Sequence, residues 1–424
     1  MHTIAPPSAS AGLLLTGGGA RAAYQVGVLE AIADIRKLAG AKDQPNPLTI
    51  ITGTSAGAIN AAALACGADD FDGAVRRIVD VWKNFHADQV YKADSLSVLR
   101  TGAKWMTLMS LGWVLARWRR VKPRSLLNNE PLEELLKRMV PLDRLPELIR
   151  AGHVQALAVT GSSYSSGEHI TFFEGDKRLM PWVRSQRRAV RDRITYEHLL
   201  ASSAIPFVFP AKPLQIDGRT EYFGDGSMRQ SAPVAAAIHL GAEKVLVIGA
   251  GRMAEPRVSP QTQDANAYPS VAQIAGHALA SIFLDSLAVD VERVRRINQT
   301  MKLVPPEARA ASCLRPVELL LISPSQRLDT VASRHVGDLP PAVRALLGGV
   351  GVSSAKADIK GSALASYLLF ESNFTRELMG MGYADAEAQK AEICQFFGWE
   401  LPAEQRTESV RPAWMDRRKD PLRL

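Results

Sequence analysis

The chain has 424 residues, 46% of them hydrophobic, enough for one large core with an extension or for two domains, and too long for a small stapled scaffold. Its three cysteines, Cys66, Cys313 and Cys394, are scattered and form no Cys-x-x-Cys pair, so neither a disulfide framework nor a zinc site is indicated. The net charge of +8 favours anionic partners without choosing among nucleic acid, acidic lipid and small phosphorylated molecules.

Met1 to Ala11 reads as a loose N-terminus, with no lysine or arginine ahead of the first apolar run. That run, Leu13-Leu14-Leu15, is too short for a signal-peptide core, and a reducing cytoplasm is the expected compartment. No stretch approaches the ~20 apolar residues that span a bilayer, so membrane contact is expected to be peripheral. The eight histidines are dispersed, with no His-Glu-x-x-His and no EF-type loop, so no metal and no cofactor is expected.

Gly12 to Thr16 reads as the first strand, followed by Gly17-Gly18-Gly19-Ala20-Arg21 and a helix carried by Val26, Leu29, Ile32 and Ile35 to about Gly40. Three consecutive glycines can turn their N–H groups inward as an anion-binding nest. Gly17 to Ala22 also satisfies Gly-x-Gly-x-x-Ala, so a dinucleotide fingerprint competes with an oxyanion hole. Nothing acidic lies between Asp34 and Asp43, which weighs against the dinucleotide.

Leu48 to Ile51 is a β-branched and apolar run suited to a buried strand, and Ala56 to Cys66 is a small-residue run suited to a helix packed on a sheet. Between them lies Gly53-Thr54-Ser55-Ala56-Gly57, a Gly-x-Ser-x-Gly corner in strand–turn–helix context. Such a corner is a nucleophile elbow, with Ser55 projecting above the sheet and the following helix aiming its free N–H groups at the same spot.

A helix is predicted over roughly Asp70 to Phe85, with Val75, Ile78, Val79 and Trp82 on one side. From Ser95 to Asn129 there is no acidic residue, while Arg100, Lys104, Arg117, Arg119, Arg120, Lys122 and Arg124 are basic. This insert contains Trp105 to Ala116, apolar on every side. A buried core helix and a lid dipping into a membrane surface both fit it, the latter with Trp105, Trp113 and Trp118 as candidate membrane contacts.

Pro131 to Val140 then reads as a helix, Val154 to Thr160 as a buried strand, Gly161 to Gly167 as a loop and Glu168 to Phe173 as a returning strand. Lys177 to Arg193 holds seven basic residues and reads as a solvated face. Thr195 opens a helix that stops at Ile205-Pro206. Asp217-Gly218, between Pro213 to Ile216 and Thr220 to Phe223, has the setting of a two-residue hairpin turn. Asp225-Gly226 lacks a second strand after it, so Asp225 is placed at a strand end on the sheet edge, where catalytic side chains gather. Glu243 to Gly249 and Val317 to Ser323 are further strands, separated by a long helix from about Ser270 to Gln299, and Pro340 to Trp399 reads as helices.

Taken together, Gly17-Gly18-Gly19-Ala20-Arg21, Gly53-Thr54-Ser55-Ala56-Gly57 and Asp225-Gly226-Ser227 resemble the patatin-like phospholipase family, with further echoes at Ala201 to Pro206 and Pro233-Val234. The likeness covers roughly Leu13 to Gly249 and departs at Ala22, where the family often has glycine, and at Ser227, where it has glycine or alanine. It implies a three-layer α/β/α fold with a mostly parallel central sheet, and lipid acyl hydrolysis of phospholipid or another lipid ester. By position it implies Ser55 as nucleophile, Asp225 as base and the Gly17, Gly18 and Gly19 amides as oxyanion hole. Arg21 is a candidate anion contact. A Ser-Asp-His triad using His239, His277 or His335 is the nearest rival, and a catalytically silent lipid- or dinucleotide-binding protein is a rival of another class.

The expected organisation is a loose N-terminus (1–11), a catalytic domain (12–250) with its basic-apolar insert (about 95–129), a mainly helical C-terminal region with one further strand (251–401), and a basic tail (402–424) expected to be disordered. Nucleic acid is not an expected partner.

Overall fold

A computed structural model describes residues 10–92, 125–252, 271–312, 314–349, 351–352, 359–402 and 412–415. Most of the basic insert, with Trp105, Trp113 and Trp118, lies outside the described residues, as do residues 1–9 and most of the basic tail.

Among the described residues ten strands form one sheet. Its centre is built from β1 (Ala11–Leu15), β2 (Ile50–Thr54), β3 (Ala156–Ser163), β9 (Lys244–Ile248) and β10 (Glu318–Ile322), in the order β10-β9-β1-β2-β3 and all parallel. Alternate residues feed opposite faces, as the period of a strand dictates. Leu13, Leu15 and Ile51 enter one core and Leu14, Ile50 and Val245 the other. Both faces are covered by helices, so these strands carry near-continuous apolar runs, the pattern of a buried parallel sheet.

One side is layered by α1 (Ala23–Leu38), α2 (Ala56–Ala65), α3 (Phe71–Lys83) and the helix Ser372–Ala388. The other carries the helices Ala235–His239 and Ser286–Leu303. The expected three-layer α/β/α architecture is therefore present, and β10 joins the C-terminal region to the same sheet. α1 crosses the helix Ser372–Ala388 at two glycines: a Cβ on Gly27 would lie 1.9 Å from the Met379 carbonyl oxygen, and one on Gly382 2.1 Å from that of Tyr24.

Past β3 the sheet turns antiparallel. β4 (His169–Gly175) runs back along β3, while β7 (Lys212–Ile216) and β8 (Arg219–Asp225) form a hairpin whose second strand pairs with the end of β3. Asp217 and Gly218 both take positive φ, 50° and 75°, as a type I′ turn requires.

Two expectations need correction. Lys177 to Arg193 is not simply a solvated face: it holds β5 (Val183–Arg184) and β6 (Arg187–Arg191), which extend the sheet beyond β4. Its arginines suit an exposed edge, where charge discourages pairing with another chain, and Arg191 lies over the Phe173 ring at 5.0 Å. The loop expected over Gly161 to Gly167 starts later, because Gly161 to Ser163 are the last residues of β3 and pair with β8. The long helix expected from about Ser270 is present, running from Val271–Ala280 through a π-helical stretch at Ser281–Asp285 into Ser286–Leu303.

Candidate active site

The register of the sheet brings the candidate residues together. Thr54 at the end of β2 pairs with Thr160 of β3, and the next residue of β3, Gly161, pairs with Asp225 of β8. Ser55, one residue past Thr54, therefore emerges beside Asp225. β1 is the other neighbour of β2, so Gly17 to Gly19 open on the same edge.

Ser55 occupies φ 56°, ψ −132°, a conformation that costs a non-glycine residue energy and is characteristic of a strained strand-to-helix elbow. The flanking glycines are required by contact. A Cβ on Gly53 would lie 2.5 Å from the Gly57 carbonyl oxygen, and one on Gly57 2.4 Å from that of Leu15. α2 can thus start directly against the ends of β1 and β2, with its first turn beneath Ser55.

Asp225 is fully buried, and Ser55 is 1% exposed. Burial raises the Asp225 pKa to about 6, against the opposing pull of the Ser55 hydroxyl and of the Ser227 amide and hydroxyl. The Ser227 N–H donates to Oδ1 at 2.9 Å. Oδ2 has no well-aligned hydrogen bond, so the Ser55 hydroxyl approaches the carboxyl without being locked to it. A contact of this kind can tighten when substrate arrives. Ser227, a departure from the family pattern, is thus one of the groups holding the carboxylate.

Both halves of this pair are held by one short segment at the end of the helix Tyr196–Ser202. Ser202 Oγ accepts the Ser55 N–H at 2.9 Å, the Ser202 carbonyl accepts the Gly226 N–H at 3.2 Å, and the Ala204 carbonyl accepts the Asp225 N–H at 2.9 Å. Behind them, Thr54 and Thr160 share a hydroxyl contact of 2.5 Å, and Gln230 Nε2 donates to Thr54 Oγ1 at 3.0 Å.

In the glycine loop Gly19 takes φ +55°. The Gly17, Gly18 and Gly19 amides find no acceptor among the described residues, whereas the next amide, Ala20, donates to the Tyr367 carbonyl at 3.1 Å. The loop borders an apolar pocket whose lining includes Ser55, Gly19, Ile59, Leu135, Met139 and Phe370. Its aromatic end is rigid: Trp82 stacks on Phe85 at 4.9 Å and donates through Nε1 to Asn60 Oδ1 at 2.8 Å. Such a pocket suits an acyl chain better than the phosphates of a dinucleotide.

Arg21, the candidate anion contact, is buried and engaged elsewhere. Its Nε donates to Ser366 Oγ at 2.7 Å, and its guanidinium lies 4.2 Å from the centre of the Tyr367 ring. The three rival histidines do not reach the pair. His239 stacks on Trp182 at 4.9 Å, His335 pairs with Glu377 at 2.7 Å and Asp338 at 3.0 Å, and His277 lies exposed on its helix. Among the described residues no cluster of three or more His, Cys, Asp or Glu is placed to hold a metal, and no helix is long and apolar enough to cross a membrane.

Two residues near the pair had no signal in the linear sequence. Ser202 was visible only as part of Ala201 to Pro206, with nothing to say that its hydroxyl meets the Ser55 amide. His169 pairs in register with Ser162, whose other neighbour is Gly224. It packs behind the Asp225–Gly226 turn with its pKa lowered to about 4, first by burial and then by Arg187, opposed by the Gly226 backbone. It is therefore a neutral imidazole at neutral pH.

Residues 13–238 match the family model described as patatin-like phospholipase. No curated protein matches the chain. Among solved structures the chain is similar to VipD from Legionella pneumophila, with 14% identity over 88% of this chain and 67% of that one and a TM-score of 0.29. It is also similar to ExoU, from the type III secretion system of Pseudomonas aeruginosa, in complex with SpcU, with 14% identity over 92% and 88% and a TM-score of 0.25. A second structure, of the type III effector ExoU, gives 15% identity over 96% and 91% and a TM-score of 0.26. Superpositions this loose say nothing about the chemistry of this chain.

Proposed function

The chain belongs to the patatin-like phospholipase family, and from that premise we propose that it hydrolyses the carboxylic esters of lipids through a Ser55–Asp225 dyad. The observation that carries the reading is a fully buried carboxylate, with its pKa raised to about 6, facing the serine of a strained elbow. An ordinary carboxylate near 3.9 is too weak a base for a serine hydroxyl, and desolvation is the means of strengthening it.

In this mechanism the Ser55 oxygen attacks the ester carbonyl carbon while Asp225 takes the hydroxyl proton. The tetrahedral oxyanion is met by the Gly17, Gly18 and Gly19 amides, a type of interaction worth about 3–4 kcal/mol per donor. Collapse expels the alcohol, which receives the proton from Asp225, and leaves an acyl ester on Ser55. Water, deprotonated by Asp225, attacks that ester, and the fatty acid leaves as Ser55 regains its proton. The acyl chain occupies the apolar pocket beside Ser55.

The sequence adds a proposal for substrate access: the basic insert, through Trp105, Trp113 and Trp118, contacts the lipid surface. Replacing Trp105 and Trp113 by alanine is expected to weaken vesicle binding. The hydrolase reading is tested with a panel of phospholipid, lysophospholipid, neutral-lipid and thioester substrates. Release of fatty acid from at least one class, abolished by Ser55→Ala, is the expected result; undiminished release by Ser55→Ala contradicts it.

A further inference from the structure

We infer that the segment Ala363 to Phe370, beyond the residues matched by the family model, is part of the active site and locks the glycine loop in its working shape, with Arg21 as the latch. The inference rests on the hydrolase reading for what the loop does, but not for the locking itself.

Three glycines in a row have more backbone freedom than any other tripeptide, so nothing within Gly17-Gly18-Gly19 can fix where its amides point. An oxyanion hole, however, contributes only when its donors already stand about 2.7–3.1 Å from where the charge will form. The missing constraint comes from the C-terminal segment. A Cβ on Gly19 would lie 2.3 Å from the Tyr367 carbonyl oxygen, so the two backbones touch, and that same oxygen accepts the Ala20 N–H at 3.1 Å.

Arg21 ties the contact down. Its Nε donates to Ser366 Oγ at 2.7 Å and its Nη2 to the Ala363 carbonyl at 3.4 Å, while Ser366 Oγ itself donates to the Ala363 carbonyl at 2.6 Å. The guanidinium lies over the Tyr367 ring, and both Arg21 and Ser366 are buried. Ser366 therefore receives the arginine on a hydroxyl already oriented by the turn it belongs to. Three residues beyond Tyr367, Phe370 packs against Phe85 at 5.6 Å and lines the pocket. One segment thus fixes both the amides and part of the pocket wall.

Arg21 acts through the loop as a positioning residue, and this differs from direct attraction of a substrate phosphate. The full-length chain, Ser366→Ala and Arg21→Met are compared on an uncharged p-nitrophenyl ester and on phosphatidylcholine in mixed micelles, with amide hydrogen exchange followed over residues 17–22. Locking predicts that kcat falls about tenfold for Ser366→Ala and about a hundredfold for Arg21→Met on both esters, with KM within about twofold. It also predicts exchange at least about tenfold faster at residues 17–22, with the core strands unchanged. Unchanged exchange in both variants overturns the inference, as does a loss confined to KM for the phosphate-bearing ester. Should Arg21→Met fail to fold, Ser366→Ala decides by the same measures. If the unaltered chain cleaves neither ester, the hydrolase reading fails, while the exchange measurement still decides the lock.

Discussion

The Ser55 amide N–H is held by the Ser202 hydroxyl at 2.9 Å, a bond between residues 147 positions apart in sequence. Ser202 also accepts the Gly226 N–H through its carbonyl, so one residue ties the serine elbow to the turn that carries Asp225. Ser202→Ala keeps the second bond and removes the first, leaving the Ser55 N–H buried without a partner at a cost of about 1–3 kcal/mol. The expected outcome is a lower melting temperature and a kcat reduced about tenfold, with KM within about twofold. Steady-state kinetics beside a thermal melt checks it.

The buried carboxylate sets a pH dependence in both activity and stability. As a base, Asp225 must be ionised, so kcat/KM is expected to rise with pH through about 6 and then level off. Stability runs the other way. The folded pKa lies above the unfolded value of about 3.9, so the folded state binds more protons between the two, and the stability this confers is full below about pH 4 and lost as pH rises through about 6. A shift of that size corresponds to a burden on the order of 3 kcal/mol at higher pH. Asp225→Asn is therefore expected to abolish turnover yet melt above the unaltered chain at pH 8, with the difference closing below about pH 5. Melting curves at a series of pH values test the sign.

The elbow glycines make a steric prediction. In Gly57→Ala the added methyl would meet the Leu15 and Thr16 carbonyl oxygens at 2.4 and 2.5 Å, both of them backbone atoms at the end of β1. Neither can step aside cheaply, so a loss of more than about 2 kcal/mol in denaturant unfolding is expected. Gly218→Ala, at φ +75° but with open space around it, is expected to cost only about 1 kcal/mol.

Pocket shape makes a prediction about chain length. Leu135 lines the apolar pocket together with Ser55 and the aromatic residues Trp82, Phe85 and Phe370. Leu135→Trp is expected to shift the preferred ester to shorter acyl chains, with kcat/KM for acetyl and butyryl esters kept within about threefold and that for long-chain esters falling at least tenfold, an effect of about 1.4 kcal/mol or more. A series of p-nitrophenyl esters of increasing length measures it; an equal loss at every length contradicts the placement of the acyl chain.

The strands, the elbow and the Asp225 strand end were legible because each is a local pattern. A β-branched run followed by Gly-x-Ser-x-Gly and a small-residue helix states its own geometry within a dozen residues. What could not be read lies in register and tertiary contact. No periodicity says that Gly161 pairs with Asp225, that Ser202 Oγ meets the Ser55 amide, or that His169 packs behind the Gly226 turn. The hairpin β5–β6 was hidden because an edge strand rich in arginine carries little apolar alternation. Arg21 was misplaced for a related reason: its partners Ser366 and Tyr367 lie more than 340 residues away.

The central claim is that Ser55 is a nucleophile activated by Asp225, and covalent capture tests it most directly. The full-length chain and Asp225→Asn are incubated with a long-chain alkyl fluorophosphonate, and the adduct is located by mass spectrometry of the digest as a function of time. The account predicts a single phosphonyl adduct on Ser55, formed at least about a hundredfold more slowly in Asp225→Asn. No adduct, an adduct on another residue, or equal rates in the two proteins would contradict it.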